Sequence, residues 1–540
     1  MNQHRLVAAL ASLGALGVFL YLALTFVIQT KPDFGGSYTE GIVGSPMAAN
    51  PLYAPFSDAD NDLAALVYAG LTRLGPEGAV LPDLAERWDI DEQGRRYRFY
   101  LRPGVQWHDG SPFSAADVVY TIKLIQAPNF AGSPDLAALW KMVSVSQVDP
   151  LTVQMTLANP FAPFLRYTAL GILPAHINGV DSGTGTSLPV GAGPFRVVEA
   201  VADRMTLVAN PSYHFGRPYL DRIVLRFYPD QPTALTALQQ RQIQGVLIHP
   251  VLDPETVASL RSNTLWRTYS GMRPSYTALF LNLTLPLFQD KAVRQALLYG
   301  LDRERIARET LAGQAIVAGS PIPVGSWAYD NSISPYPYDQ EHARQLMEEA
   351  GWSIAEGGVR RKGQQDLRFQ LATTTDPARL LVAEEVARQW RELGVAAEVL
   401  AAPPVTLLQD TVVPRRFQAL LFGLDVGYDP DAYPVWHSSQ RGVDSFNVAS
   451  YSSAKADALL EQARLTTDEA RRLDLYRQFQ ELFAEDVPSL LLYYPVYSYF
   501  VDKSVRGIEL GLLFEPSSRF ANVGQWHIAT KRLWFQRRSP

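Results

Sequence analysis

The feature that most constrains the fold is an alternation of two patterns along most of the chain. Segments with a two-residue apolar period take turns with capped segments of helical spacing. Tyr97, Phe99 and Leu101 alternate with Arg96, Arg98 and Tyr100, which predicts a half-buried strand. Leu151, Val153, Met155 and Leu157 repeat the pattern, and Ile223, Leu225 and Phe227 repeat it again. The spacing of Leu63, Leu66, Val67 and Gly70 predicts a helix over Asp62–Leu71, with Asp60 or Asn61 as its cap. Ser114 caps a helix over Ala115–Gln126, and Asp117 lies in its first turn, where negative charge suits the helix dipole. Asp339 caps another, stopped by Gly351, and Asp376-Pro377 opens a third that ends at Gly394. A strand over Val395–Leu400 follows directly. Thr466 and Glu469 read as a capping box for a helix lined by Leu473, Tyr476, Phe479 and Phe483. Strands alternating with helices imply α/β lobes, and 540 residues leave room for two to four domains.

One stretch within this alternation reads as a candidate site: Arg415–Trp436, RRFQALLFGLDVGYDPDAYPVW. Phe417–Phe422 contains a single polar residue, Gln418, and stops at Gly423. Its periodicity fits a strand buried on both faces or a buried helical turn, and its shortness favours the strand. Asp425, Asp429 and Asp431 follow, mixed with Tyr428, Tyr433, Trp436 and two prolines. Carboxylates on a loop held by a rigid strand can orient a cation or an amine, while rings supply apolar area. An ordinary turn is the alternative, because Gly, Asp and Pro are turn formers.

Residues 6–28 carry no charge. At about 1.5 Å per residue such a helix spans a bilayer core of about 30 Å. The run ends in Gln29-Thr30-Lys31-Pro32, which offers no small-residue cleavage site, so an uncleaved N-terminal anchor is expected, with a cleaved signal segment as the alternative. Arg5 inside and an exported bulk follow from the absence of a second span. Residues 31–40, with Pro32, Gly35 and Gly36, read as a linker to a domain beginning near Gly41. Asp181–Ser187 is a polar loop and a candidate crossing between lobes.

Apolar residues make up 47% of the chain and charged residues 19%, which fits a globular protein with large cores. The net charge of −6 is spread evenly, and no basic run marks a nucleic-acid partner. Without cysteine there are no disulfides, no lipid attachment through a thiol and no thiolate zinc site. No nucleophile elbow, phosphate loop, dinucleotide fingerprint or His-Glu-x-x-His is present, and neither a metal nor a cofactor is expected. Gly191-Ala192-Gly193-Pro194 departs from the dinucleotide pattern at its proline. His108-Asp109, within Trp107–Pro112, is the one tempting catalytic pair, but Asp-Gly before Ser-Pro reads as a tight turn.

Seven segments together carry a resemblance: Pro82–Trp88 (PDLAERW), Tyr97–Thr121, Val190–Val197 (VGAGPFRV), Asn210–Phe227, Leu281–Ile306, Tyr338–Trp352 and Asp468–Pro488. In this order they resemble the extracellular solute-binding proteins, family 5, of ABC importers, the oligopeptide-, dipeptide- and nickel-binding group. The resemblance implies a two-lobed, periplasmic-binding-protein-like α/β fold with an inserted small subdomain, here preceded by one N-terminal transmembrane helix. It implies no enzymatic activity, a peptide or small polar solute held between the lobes, and ABC permease subunits as partners on the outer face of the cytoplasmic membrane. It also divides the chain: lobe I from 41–68, 175–275 and 497–540, the insertion from 69–174, and lobe II from 276–496. Asp290, Arg294 and the Asp302 cap are implied to be structural.

In peptide-binding members the strand matching Phe417–Phe422 ends in a Gly-Trp loop whose aspartate grips the peptide amine. Here Leu424 replaces the Trp and the loop is one residue shorter. The anchor position falls on Gly427 or Val426, neither acidic. The expected ligand-binding residues are therefore Asp425, Tyr428, Asp429 and Trp436, with Asp58 from the early loop of lobe I. Rival readings are an anchored hydrolase with a carboxylate pair and a binding protein that signals to a receptor. A further departure is Arg241-Gln242-Ile243-Gln244 in place of the usual Gly-Glu-Ile-Asp.

Overall fold

The computed structural model describes residues 26–536 except 48, 54–56, 178–187, 249–253, 334–335, 428 and 443–444. Among the described residues the predicted alternation closes into one twelve-stranded sheet. Its strands run in the order Ala396–Ala402, Arg368–Thr374, Ala419–Asp425, Ser275–Leu281, Ser489–Asp502, Gly245–Ile248, Ser37–Val43, Arg222–Tyr228, Arg204–Ala209 and Phe195–Val201. Trp266–Met272 and Ala315–Val317 pair with Ser489–Asp502 as well.

The fourteen-residue strand Ser489–Asp502 joins the two lobes. Residues Ser489–Tyr493 pair with Ser275–Leu281, and Val496–Asp502 pair with Trp266–Met272. Arg273-Pro274 interrupts its two partners, and Pro495 lies where it changes from one to the other. Proline donates no amide hydrogen to a ladder, so both strands of this ribbon are weakened at the same level. That is the level at which both strands cross from one lobe to the other, the bend between them.

On one side of the bend one core runs from Tyr38, Leu225 and Tyr499 to Tyr97, Phe99, Val153 and Phe164, and a smaller one gathers Leu235, Leu238, Ile243, Val246, Trp266 and Phe500. The four-stranded sheet of Ala85–Ile90, Arg96–Leu101, Thr152–Leu157 and Val143–Asp149 therefore packs as part of the first lobe's body. On the other side the sheet carries a core on each face, one around Phe288, Trp390 and Leu421, the other around Phe280, Trp436 and Phe483.

Most predicted starts and stops appear where the side-chain chemistry put them. Asp339, Asp376 and Asp290 accept from the amides of His342, Arg379 and Ala292, and Ser114 forms a capping box with Asp117. Arg294 donates to the carbonyls of Phe288, Gln289, Asp486 and Val487, tying a helix start to a helix end. Several boundaries differ. The early helix is Asp58–Val67, capped by Ser57. Thr466 ends the preceding helix, and Asp468 caps Glu469–Asp486 by accepting from Arg471. Ser37–Val43 is already a strand in the sheet, so the fold begins before Gly41.

The predicted strand 417–422 is Ala419–Asp425 and runs through Gly423. Gly423 does not stop it; a Cβ there would stand 2.7 Å from Nη2 of Arg379, whose guanidinium lies over Phe422. Among the described residues no helix is long and apolar enough to cross a membrane. The N-terminal run lies outside the described residues except for Phe26–Ile28, which are extended rather than helical and pair antiparallel with Trp534–Gln536. The Asp181–Ser187 loop also lies outside them.

His108 sits in the predicted turn, with Gly110 at φ +89°. Gly191 N–H donates to its Nδ1 at 3.2 Å, so Nε2 carries the proton and donates to the Gly193 carbonyl at 3.0 Å. Burial holds the imidazole below its ordinary value of 6.5. The unfolded chain takes up a proton that the folded ring resists, so stability falls as pH drops from 6.5. His108→Ala is expected to cost about 1–3 kcal/mol and to flatten that slope, with solute affinity per folded molecule unchanged. Urea midpoints measured from neutral to mildly acidic pH check this.

Candidate functional site

The strand Ala419–Asp425 pairs antiparallel with Ser275–Leu281, which places Asp425 opposite Ser275, at the first residue beyond the bend. Val426 N–H donates to the Pro274 carbonyl at 2.7 Å, and Gly427 turns the loop at φ +79°. Asp425 is thereby fixed at the crossing between the lobes. Its side chain is 60% exposed, and Oδ2 accepts from Nη2 of Arg273 at 3.0 Å. Nη1 of the same guanidinium donates to the Tyr497 hydroxyl at 3.2 Å, on the other hinge strand. Burial works against the Arg273 charge, but the Tyr497 hydroxyl and the charges of Asp425 and Asp58 outweigh it and hold Arg273 above its ordinary value.

Asp58 opens the helix Asp58–Val67 in the first lobe. With Gly41, Val43, Asp62, Gln231 and Arg519 it lines a cavity of about 110 Å³. The charges of Asp425 and, more weakly, Asp58 both favour the charged form of Arg273.

The other candidates lie deeper. Asp429 is 4% exposed. Its oxygens accept from Arg472 at 2.6 and 3.0 Å, and Arg166 approaches Oδ2 at 2.7 Å. Burial alone would push this carboxyl up; the Arg472 and Arg166 guanidiniums reverse that and hold it below the usual range. Trp436 is 1% exposed, stacked near Phe280 and edge-on to Phe483 at 4.7 Å between ring centres. In this conformation neither Asp429 nor Trp436 is open to a solute. Asp431 accepts from the Tyr433 amide at 3.2 Å and from Arg464 at 2.7 Å, so it holds the turn that leads into the short helix Tyr433–Trp436. Tyr428 lies outside the described residues.

Sequence reasoning did not single out Arg273, Arg166 or Arg472. An arginine before a proline, between two apolar strands, was the available signal for Arg273. Arg166 and Arg472 follow no periodicity that separates them from solvated charges. Among the described residues no group of three His, Cys, Asp or Glu side chains is placed to hold a metal ion.

The family model for bacterial extracellular solute-binding proteins, family 5 Middle, matches residues 79–446. The chain belongs to the extracellular solute-binding proteins, family 5. As a family 5 protein it is 29% identical over 517 residues to the oligopeptide-binding protein AppA of Bacillus subtilis, covering 92% of this chain and 93% of AppA. The structure of Bacillus subtilis AppA in complex with a nonapeptide superposes at a TM-score of 0.66 with 28% identity, over 92% of this chain and 100% of that one. NikZ from Campylobacter jejuni in complex with Ni(L-His) superposes at 0.69 with 27% identity, over 91% and 99%. The two-lobed α/β fold is shared with these solute-binding proteins.

Proposed function

We propose that this family 5 protein captures a peptide or similar small polar solute between its lobes and delivers it to an ABC permease. The observation that carries the reading is the Arg273–Asp425 ion pair at the crossing of the hinge strands, half-buried at Arg273 and exposed at Asp425, with the charge of Asp58 in the first lobe a weaker influence on Arg273. A carboxylate and a guanidinium side by side match a zwitterion: Asp425 or Asp58 takes an ammonium, Arg273 a carboxylate. The nonapeptide of the AppA complex and the histidine of the NikZ complex are both amino-acid ligands, which supports this class. Tyr428, next to Gly427, would add a ring to the same loop. Asp429 and Trp436 act behind the loop, and the moving parts are lobe I with the insertion as one body, from Ser37 and including 69–174, and lobe II from Ser275 to about Pro495 as the other.

Native mass spectrometry of the purified protein should show a co-purified solute that denaturation releases; solute-free protein from every expression host would count against the reading. Asp425→Asn should then raise the dissociation constant of that solute about tenfold or more, since one charge-assisted hydrogen bond is worth about 1.5–3 kcal/mol. Asp431→Asn should leave it nearly unchanged. Calorimetry on the two variants decides, and equal small effects would move the site elsewhere. The hydrolase and receptor-signalling alternatives have no specific observation in their favour.

We also propose that the uncharged run, which the strand Phe26–Pro32 shortens from 6–28 to 6–25, is an uncleaved anchor holding the protein on the outer face of the cytoplasmic membrane. The stretch before Phe26 still holds about twenty uncharged residues, enough for about 30 Å of helix. Carbonate extraction should leave the mature protein in the membrane fraction with its N-terminal residues attached. A soluble product beginning near residue 30 would overturn this.

A further inference from the structure

The junction between the insertion and the second lobe holds two guanidiniums and one carboxylate, and they are not equivalent. Arg472 is fully engaged: bidentate to Asp429, with Nε on the Ala463 carbonyl at 2.9 Å and Nη2 on the Tyr476 hydroxyl at 2.9 Å. Asp429 and Arg472 are therefore a self-sufficient pair within the second lobe. Arg166 reaches them from the insertion, on the other body, through Nη1 alone. Its side chain is 3% exposed, yet Nε and Nη2 have no hydrogen-bond partner among the described residues. Its guanidinium also lies 5.0 Å from the centre of the Trp327 ring, with that of Arg472 at 5.4 Å.

A permanent brace satisfies its donors, because each unpaired buried polar group costs about 1–3 kcal/mol. Arg166 leaves two unpaired in this conformation and would regain water for both if the lobes parted. Parting would leave Asp429 still paired with Arg472. Neighbouring contacts across the junction include Ala162 N–H to the Arg464 carbonyl at 2.8 Å, Arg464 over Phe161, Trp327 N–H to the Glu77 carbonyl at 3.1 Å, and Gly94 against Leu465 and Thr467. Arg166 and Phe161 belong to a body whose core is continuous with the first lobe, whereas Asp429, Arg464 and Arg472 lie beyond the bend.

We propose that Arg166 is a reversible latch of lobe closure and a positioning residue for the solute loop: it docks on Asp429, four residues beyond Asp425, only when the insertion swings onto the second lobe. This rests on the solute-binding reading above, but its test needs no solute. Opening and closing then work against a contact that is strong enough to hold the lobes and incomplete enough to release them. Solute binding gains from the latch because the loop bearing Asp425 is rooted at the carboxylate that Arg166 clamps.

The chain has no cysteine, so spin labels can be placed at will. Met142→Cys in the insertion and Val405→Cys in the second lobe, at positions 63% and 65% exposed, report the distance across the junction. Met142→Cys with Val198→Cys reports within the first body. Pulsed electron-electron spectroscopy on the full chain in detergent should show a short distance for the first pair. Arg166→Met should shift the closed-to-open ratio at least about tenfold towards the longer distance, equivalent to about 1.4 kcal/mol, and Arg166→Lys should shift it less. The second pair should not change. The proposal is overturned by a first-pair distribution that is identical in wild type and Arg166→Met while the melting temperature falls, by a wild type lacking the short distance, or by a variant in which both pairs change.

Discussion

Arg519→Met is expected to destabilise the first lobe by about 3–5 kcal/mol, the cost of breaking a buried ion pair by removing one partner. Arg519 is 1% exposed and binds two carboxylates at once. Nη1 and Nη2 donate to the two oxygens of Asp62, each at 2.6 Å, and Nε donates to Glu40 at 2.8 Å. Glu40 is wholly buried, and its other oxygen accepts from the hydroxyls of Tyr38 and Tyr499. Burial works against the Arg519 charge, but Asp62 and Glu40 outweigh it and hold the guanidinium well above its ordinary value. Without it, two carboxylates would be left in a dry site with only phenol donors. The network also ties three distant pieces of chain, because Glu40 lies on the first strand of the large sheet, Asp62 on the early helix, and Arg519 near the C-terminal end. Arg519→Lys keeps one charge but cannot form the fork, so it should lie between the two. Urea unfolding followed by tryptophan fluorescence measures the loss. A change under about 1 kcal/mol for Arg519→Met would mean that the carboxylates are hydrated or protonated, and that the triad does not hold these segments together.

What could be read before folding, and what could not, separates along a physical line. Helix starts depend on a side chain three residues from the amide it accepts, so Ser114, Asp339 and Asp376 announce themselves locally. Half-buried strands such as Arg96–Leu101 announce themselves by alternation, because one face meets the core and the other meets water. The pattern ends the strand at Phe422, three residues short of Asp425, because Gly423 looks like punctuation; its role is to leave room for Arg379, from another helix. Arg241 has φ +58°, the backbone conformation that makes glycine the usual residue there, so that departure marks a turn and not a site. The charges at the lobe junction were the least legible. Asp425, Asp429 and Asp431 lie within seven residues and look alike in sequence, yet one is exposed beside Arg273, one is clamped by two arginines and one holds a local turn beside Arg464. Their arginine partners are up to 263 residues away in the chain, and no periodicity encodes that distance.

Trp436 separates support of the loop from contact with solute. It was expected at the solute, but its ring lies in the core of the second lobe, 6.1 Å from Phe280 and 4.7 Å from Phe483 by ring centres. Trp436→Ala removes one of the largest fully buried side chains. It should cost about 3–5 kcal/mol, the range for truncating a buried aromatic to alanine. Trp436→Phe keeps an aromatic contact with Phe483 and should recover more than half of that. The loop returns to this core through Ala432 and Tyr433, so its root would loosen with the ring gone. If the ring only supports, the dissociation constant per folded molecule for the co-purified solute should change less than the stability does, and Trp436→Phe should bind like the wild type. Denaturant unfolding and calorimetry on the same two variants make the comparison. Affinity lost at least about tenfold in Trp436→Phe with stability kept would show that closure brings the ring to the solute, and would move the binding surface from the Arg273–Asp425 pair towards the short helix Tyr433–Trp436.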